Sequence, residues 1–186
     1  MIIYIHGFGS NGHSGKATLF REYFEDEVVT PSLSYVPNLA IDTLEQIIEI
    51  FLQRDEKVGL VGSSLGGYYA IYLANKYDLK AVLINPAIYP YKTLNKIGMQ
   101  MNYYDGSSFE VIEEHMNELK AFEIEKLKNQ ENFMVLLKTD DEILDYNEAV
   151  EKLPQSELII EEGGNHSFED IESYFRKISV FLESKE

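Results

Sequence analysis

The sequence predicts an α/β protein built on a doubly wound, mostly parallel sheet of about six strands. Apolar runs of strand length recur along the chain, and stretches with helical apolar spacing lie between them. No block of Pro, Gly, Ser or like charge is long enough to act as a linker, so the 186 residues read as one domain, residues 1–186.

The strand candidates are Ile2 to Ile5, Val28 to Val29, Val58 to Val61, Ala81 to Ile84, Phe133 to Leu137 and Leu158 to Ile160. Nearly continuous apolar runs suit strands covered on both faces, the usual condition of a parallel sheet. The helix candidates are about Lys16 to Glu25, Thr43 to Gln53, Leu65 to Tyr77, Tyr146 to Leu153 and Phe168 to Leu182. In the last of these, Ile171, Tyr174, Phe175, Ile178, Phe181 and Leu182 share one face.

Residues 87–129 separate two strand candidates by more than a crossover helix needs, so they read as an insertion. Ser107 followed by Glu110 resembles a capping box. Phe109, Ile112, Met116 and Leu119 then form an apolar helical stripe, read either as core packing or as a small helical lid over substrate.

Sixteen Lys and Arg against thirty-two Asp and Glu give a formal charge of −16. Such a charge repels phosphate backbones and anionic lipid, so no nucleic acid and no membrane are expected as partners. The absence of cysteine excludes disulfides, thiolate metal sites and a thiol nucleophile. The apolar run Met1 to Ile5 is too short for a signal peptide or a spanning helix, and a cytoplasmic location is expected.

Gly62-Ser63-Ser64-Leu65-Gly66-Gly67 contains G-x-S-x-G directly after one strand candidate and directly before an apolar helix. That is the setting of a nucleophile elbow, which makes the α/β-hydrolase fold the specific expectation and Ser64 its nucleophile. Gly62 and Gly66 remove side chains that would collide in so tight a turn.

A serine hydroxyl needs a base to take its proton. Of four histidines, His6 ends a strand and is expected to be structural, His13 lies in a Gly- and Ser-rich loop, and His115 sits off the insertion's main apolar stripe. His166 lies in a glycine-containing loop after the last strand candidate and is the expected base. The orienting acid should follow the strand Phe133 to Leu137, where Asp140, Asp141, Glu142 and Asp145 all stand. Spacing does not choose among them; Asp141 leads and Asp140 follows. Oxyanion donors are expected from the amides of Leu65 and Phe8.

The loop Gly9 to Ala17 also resembles a phosphate-binding P-loop. Aligned on Gly15-Lys16, however, the required first glycine falls on Ser10 and the magnesium-binding hydroxyl on Ala17. The scattered histidines offer no H-E-x-x-H, so neither a metal nor any other cofactor is expected.

Five blocks carry a wider resemblance: His6-Gly7-Phe8, Val61 to Ala70, Asn85-Pro86-Ala87, Asp141 to Tyr146 and Glu162 to His166. Together, and in this order, they resemble the YqiA-like bacterial esterases. The resemblance implies a compact α/β-hydrolase beginning at the strand that carries His-Gly, and it implies Asp141 as the acid. Asp140 stands where relatives commonly have glycine. It also implies a small-molecule ester substrate, with small acyl groups, or a thioester. Tyr89, Tyr91, Tyr103 and Tyr104 of the insertion are candidates for an apolar acyl site or for packing against the body. An α/β-hydrolase-fold binding protein without catalysis is the reading from another class.

Overall fold

The computed structural model describes residues 1–94 and 96–183. Six parallel strands make the main sheet: β1 (Ile2–Ile5), β2 (Val28–Val29), β3 (Gly59–Ser63), β4 (Lys80–Ile84), and, after the insertion, β7 (Phe133–Lys138) and β8 (Glu157–Glu161). Their order is β2-β1-β3-β4-β7-β8. The chain leaves β1 toward β2 on one side and fills the sheet from β3 on the other, so the order reverses between β1 and β3. In an open α/β sheet, the crevice beyond the carboxyl ends of such a pair is where ligands bind.

Alternation along the strands divides the core between the two faces of the sheet. Ile3, Ile5, Leu60, Leu83 and Val135 face one cluster, built with α2 (Pro37–Leu52), α3 (Leu65–Tyr77) and α6 (Tyr146–Lys152). Ile2, Tyr4, Val61, Val82 and Leu136 face the other, with Ala17 and Phe20 of α1 (Gly15–Phe24) and Phe175, Ile178 and Leu182 of α7 (Phe175–Glu183). The expected stripe of the last helix is therefore the one that is buried. Its first turn, Ile171–Tyr174, is a 3-10 helix, and it begins three residues later than the periodicity indicates, because Phe168 has φ 52° and cannot start a helix.

Two further expectations are corrected. Helix α2 starts at Pro37 rather than near Thr43, because proline at the first helical position needs no amide donor there. The Ser107 to Glu110 pattern is no capping box. Between α4 (Pro90–Thr93) and α5 (Glu113–Ala121) the chain makes an antiparallel hairpin, β5 (Gly98–Met101) with β6 (Ser108–Val111), and Ser108 pairs with Met101. Phe109 thus belongs to a strand, while Met116 and Leu119 on α5 pack against the main core. His115, read as off the stripe, is buried, and its Nδ1 accepts from the Ile112 amide at 3.4 Å.

Candidate active site

Ser64 stands between β3 and α3 with φ 55° and ψ −122°, a conformation that non-glycine residues seldom adopt. The turn is held from three sides. The Ser64 amide donates to the Ile84 carbonyl at 3.0 Å, and the Ser64 carbonyl accepts from Gly67 at 2.9 Å and from Ala87 at 3.0 Å. A Cβ on Gly66 would lie 2.0 Å from the Ile5 carbonyl oxygen, and one on Gly62 would lie 2.3 Å from the Gly66 oxygen, so neither position admits a side chain. These glycines let α3 start against β1 and leave the Ser64 hydroxyl above the strand ends.

His166 reaches Ser64 from the loop after β8: its Nε2 is 3.0 Å from the Ser64 Oγ. Its Nδ1 lies 2.8 Å and 3.0 Å from the two carboxylate oxygens of Asp141. With Nδ1–H donating to that carboxylate, Nε2 is the acceptor presented to the serine hydroxyl.

The Asp141 side chain is only 2% exposed, and its Oδ1 also accepts from the Ile143 and Leu144 amides at 2.8 and 2.9 Å. Burial alone would raise this carboxyl. The bonds from His166, Leu144 and Ile143 outweigh it and hold Asp141 below the usual carboxylate range, so it stays ionised.

The other three acids near Asp141 do different work. Asp140 is exposed and accepts from the Thr139 hydroxyl at 3.2 Å. Asp145 caps α6 by accepting from the Asn147 amide. Glu142 accepts from the His166 amide at 2.9 Å. Of the four, only Asp141 lies within hydrogen-bond distance of the His166 ring.

The loop carrying His166 is tied down by residues with no motif of their own to mark them for it. Asn85 is buried, with φ 39°, at the end of β4. Its Nδ2 donates to the carbonyls of Asn165 and His166 at 3.0 and 3.3 Å, while its Oδ1 accepts from the Lys138 amide at 3.0 Å. One amide group therefore fastens β4, β7 and the histidine loop together. Asn85-Pro86 does stand out in the sequence as a strand end, but nothing there shows what its side chain will meet. Lys16, part of the near-miss P-loop, instead donates from Nζ to the Ser167 carbonyl at 2.5 Å. Burial pulls its ammonium down to about 8 against the opposing charge of Asp141.

On the other side of Ser64 lies the loop after β1. A Cβ on Gly7 would sit 3.1 Å from Ser64 Cβ and 3.6 Å from its Oγ, so the backbone of this loop passes directly beside Ser64. Among the described residues, the amides of Phe8 and Leu65 donate to no other protein group. His6, expected to be structural, is buried beneath them: Nδ1 pairs with the Gly7 carbonyl at 2.9 Å and Nε2 accepts from the Leu33 amide at 3.0 Å. Burial lowers its pKa despite the bond to Gly7, and both nitrogens are engaged as those of a neutral ring.

Two hollows meet at Gly7 and Phe8. The larger, about 670 Å³, contains Ser64 and His166 and has apolar walls from Leu19, Leu94, Ile143 and Phe168. The smaller, about 370 Å³, runs past Leu65 and Tyr69 toward Tyr35 and Phe109. The hairpin forms part of both walls. Phe109 packs edge-on against Phe8 with ring centres 5.5 Å apart, and the Tyr103 amide donates to the Gly9 carbonyl at 2.7 Å.

Of the four tyrosines proposed for substrate binding, only Tyr103 lines either hollow. Tyr89 and Tyr91 pack against the main core, with the Tyr91 hydroxyl donating to Glu123 at 2.6 Å, because α4 folds back onto the body. Tyr104 is exposed in the hairpin turn between β5 and β6. No group of three or more His, Cys, Asp or Glu side chains placed to hold a metal ion occurs among the described residues. None of the described helices is long and apolar enough to cross a membrane.

Comparison with known proteins adds the following. The uncharacterised protein family UPF0227 matches residues 1–183. The UPF0227 protein YcfP of Salmonella paratyphi A is 28% identical over 187 residues, spanning 97% of this chain and 98% of the relative. YcfP of Salmonella arizonae is 27% identical with the same coverage. Among solved structures, a monoacylglycerol lipase from Paleococcus ferrophilus superposes with a TM-score of 0.69 at 17% identity, over 97% of this chain and 93% of that one. Est1E from Butyrivibrio proteoclasticus with ferulic acid bound superposes with a TM-score of 0.66 at 13% identity, over 98% and 86%. The fold is that of the α/β-hydrolases.

Proposed function

This chain belongs to the UPF0227 family, and from the geometry of its site we propose that it is a serine hydrolase acting on carboxylic esters or thioesters of small acyl groups. One observation carries the reading: the Ser64–His166–Asp141 relay, with spacings of 3.0 and 2.8 Å, stands beside two unpaired amides at the meeting of two hollows.

In the proposed reaction, His166 Nε2 takes the proton from Ser64 Oγ as that oxygen attacks the acyl carbon. The Phe8 and Leu65 amides receive the negative oxygen, and the α3 N-terminus behind them favours the same charge. His166 then passes its proton to the leaving oxygen or sulfur, and water releases the acid by the same steps in reverse. Asp141, buried and ionised, keeps the imidazole in the required tautomer and stabilises its cation. The esterase and lipase among the structural neighbours agree with this chemistry at the level of fold.

The test is mass spectrometry after fluorophosphonate treatment of the wild type and of Ser64→Ala. A single adduct on Ser64 that the variant lacks supports an activated serine. A folded wild type that takes no label, or a variant that hydrolyses esters undiminished, overturns the reading.

A further inference from the structure

The smaller hollow contains a polar group that the protein leaves unanswered. Tyr69 is 4% exposed and its phenol feels Tyr68 and Glu118, yet its hydroxyl makes no hydrogen bond to protein among the described residues. Burial raises its pKa, and the hydroxyl stays protonated. No fully buried side-chain polar atom lacks a partner among these residues, so this hydroxyl is not sealed in. Tyr69 lines the smaller hollow and not the larger one. The two titratable groups nearest the nucleophile end and the rim are engaged: both His6 nitrogens are occupied, and Asp105 accepts from Asn11 and Ser107.

The mechanism proposed above says which part of a substrate would enter. His166 must hand its proton to the leaving oxygen, so the alcohol side of the ester faces the imidazole, and the imidazole lines only the larger hollow. The acyl chain then turns the other way, past Phe8 and Leu65. Tyr69 follows Leu65 by one helical turn, about 6 Å along the axis, and helical side chains lean back toward the N-terminus. That brings the phenol toward the carbonyl end of a short acyl chain.

We propose that the smaller hollow is the acyl site and that the Tyr69 hydroxyl hydrogen-bonds an oxygen near the third carbon of the acyl group, making short 3-hydroxyacyl esters the preferred substrate class. This inference rests on the hydrolase reading of Ser64. A buried hydroxyl that must go unpaired with an unsubstituted chain discriminates against it, whereas an apolar pocket would tolerate either.

The test compares p-nitrophenyl 3-hydroxybutyrate with p-nitrophenyl butyrate, using the wild type and Tyr69→Phe. The wild type is expected to favour the hydroxy ester in kcat/KM by roughly tenfold or more. The variant should lose the preference, its ratio of the two kcat/KM values falling toward one, and should unfold at an unchanged temperature, since the hydroxyl makes no hydrogen bond within the protein among the described residues. A wild type that treats the two esters alike or prefers butyrate overturns the inference, as does a variant that keeps the preference or slows both esters in equal ratio. A wild type that takes the fluorophosphonate but hydrolyses neither ester overturns this inference alone; one that does neither removes the hydrolase reading as well.

Discussion

His166 Nε2 lies 3.0 Å from Ser64 Oγ across 102 residues of chain. The contact is possible because β3 and the loop after β8 both end on the same edge of the sheet, while Asn85 at the end of β4 fastens that loop from below. Each link in this chain of support can be cut separately.

Replacing Asp141 by Asn should lower kcat by about 10³–10⁴-fold with a much smaller change in KM, since the amide no longer enforces the productive tautomer. Asp140→Asn should stay close to wild type, because Asp140 is exposed and turned to Thr139. Steady-state kinetics on one p-nitrophenyl ester checks both. Equal losses in the two variants would refute the assignment of the acid.

Asp141 also links stability to pH. Its folded-state pKa lies below the ordinary value, so the ionised group binds its partners more tightly in the folded than in the unfolded chain. The resulting stabilisation is fully present above the ordinary carboxylate range and is lost as pH falls through the lowered folded value. Urea unfolding of wild type and Asp141→Asn across that range should therefore show the wild-type advantage shrinking toward acid. An advantage that grows toward acid would contradict the sign.

Asn85→Ala should cost about 1–3 kcal/mol, because the buried Lys138 amide and the Asn165 carbonyl lose their partner. It should also lower kcat, since the histidine loop loses its tether while Ser64 itself stays in place. Denaturant titration together with fluorophosphonate labelling rates separates the two effects. Normal stability and normal labelling would show that Asn85 positions nothing.

Two glycine replacements should differ in sign. Gly66→Ala would drive a methyl to 2.0 Å from the Ile5 carbonyl, and the loss of stability should exceed the ~1–3 kcal/mol usual for overpacking. A Cβ on Gly15 meets nothing within 4 Å, and its helical backbone suits alanine, so Gly15→Ala should stabilise by about 0.4–1 kcal/mol. Thermal denaturation of the pair decides it; a tolerated Gly66→Ala would mean that α3 does not start hard against β1.

The sequence by itself determined the parallel sheet, because apolar runs of strand length can be buried only with helices on both faces, and it determined the tight strand-to-helix turn at Ser64, because G-x-S-x-G lay between one such run and an apolar helix. Both are local patterns carried by neighbouring residues. The same local reasoning misread Ser107 to Glu110, where a capping pattern turned out to be a strand paired with Gly98–Met101. Pairing across a hairpin depends on a second segment that no single window contains. It could not separate Asp140 from Asp141 by spacing either, and it put four tyrosines forward when only Tyr103 reaches a hollow. What Asn85 and Lys16 do was decided by tertiary structure alone, since a side chain's partner there lies tens of residues away in sequence and only folding brings the two within a hydrogen bond.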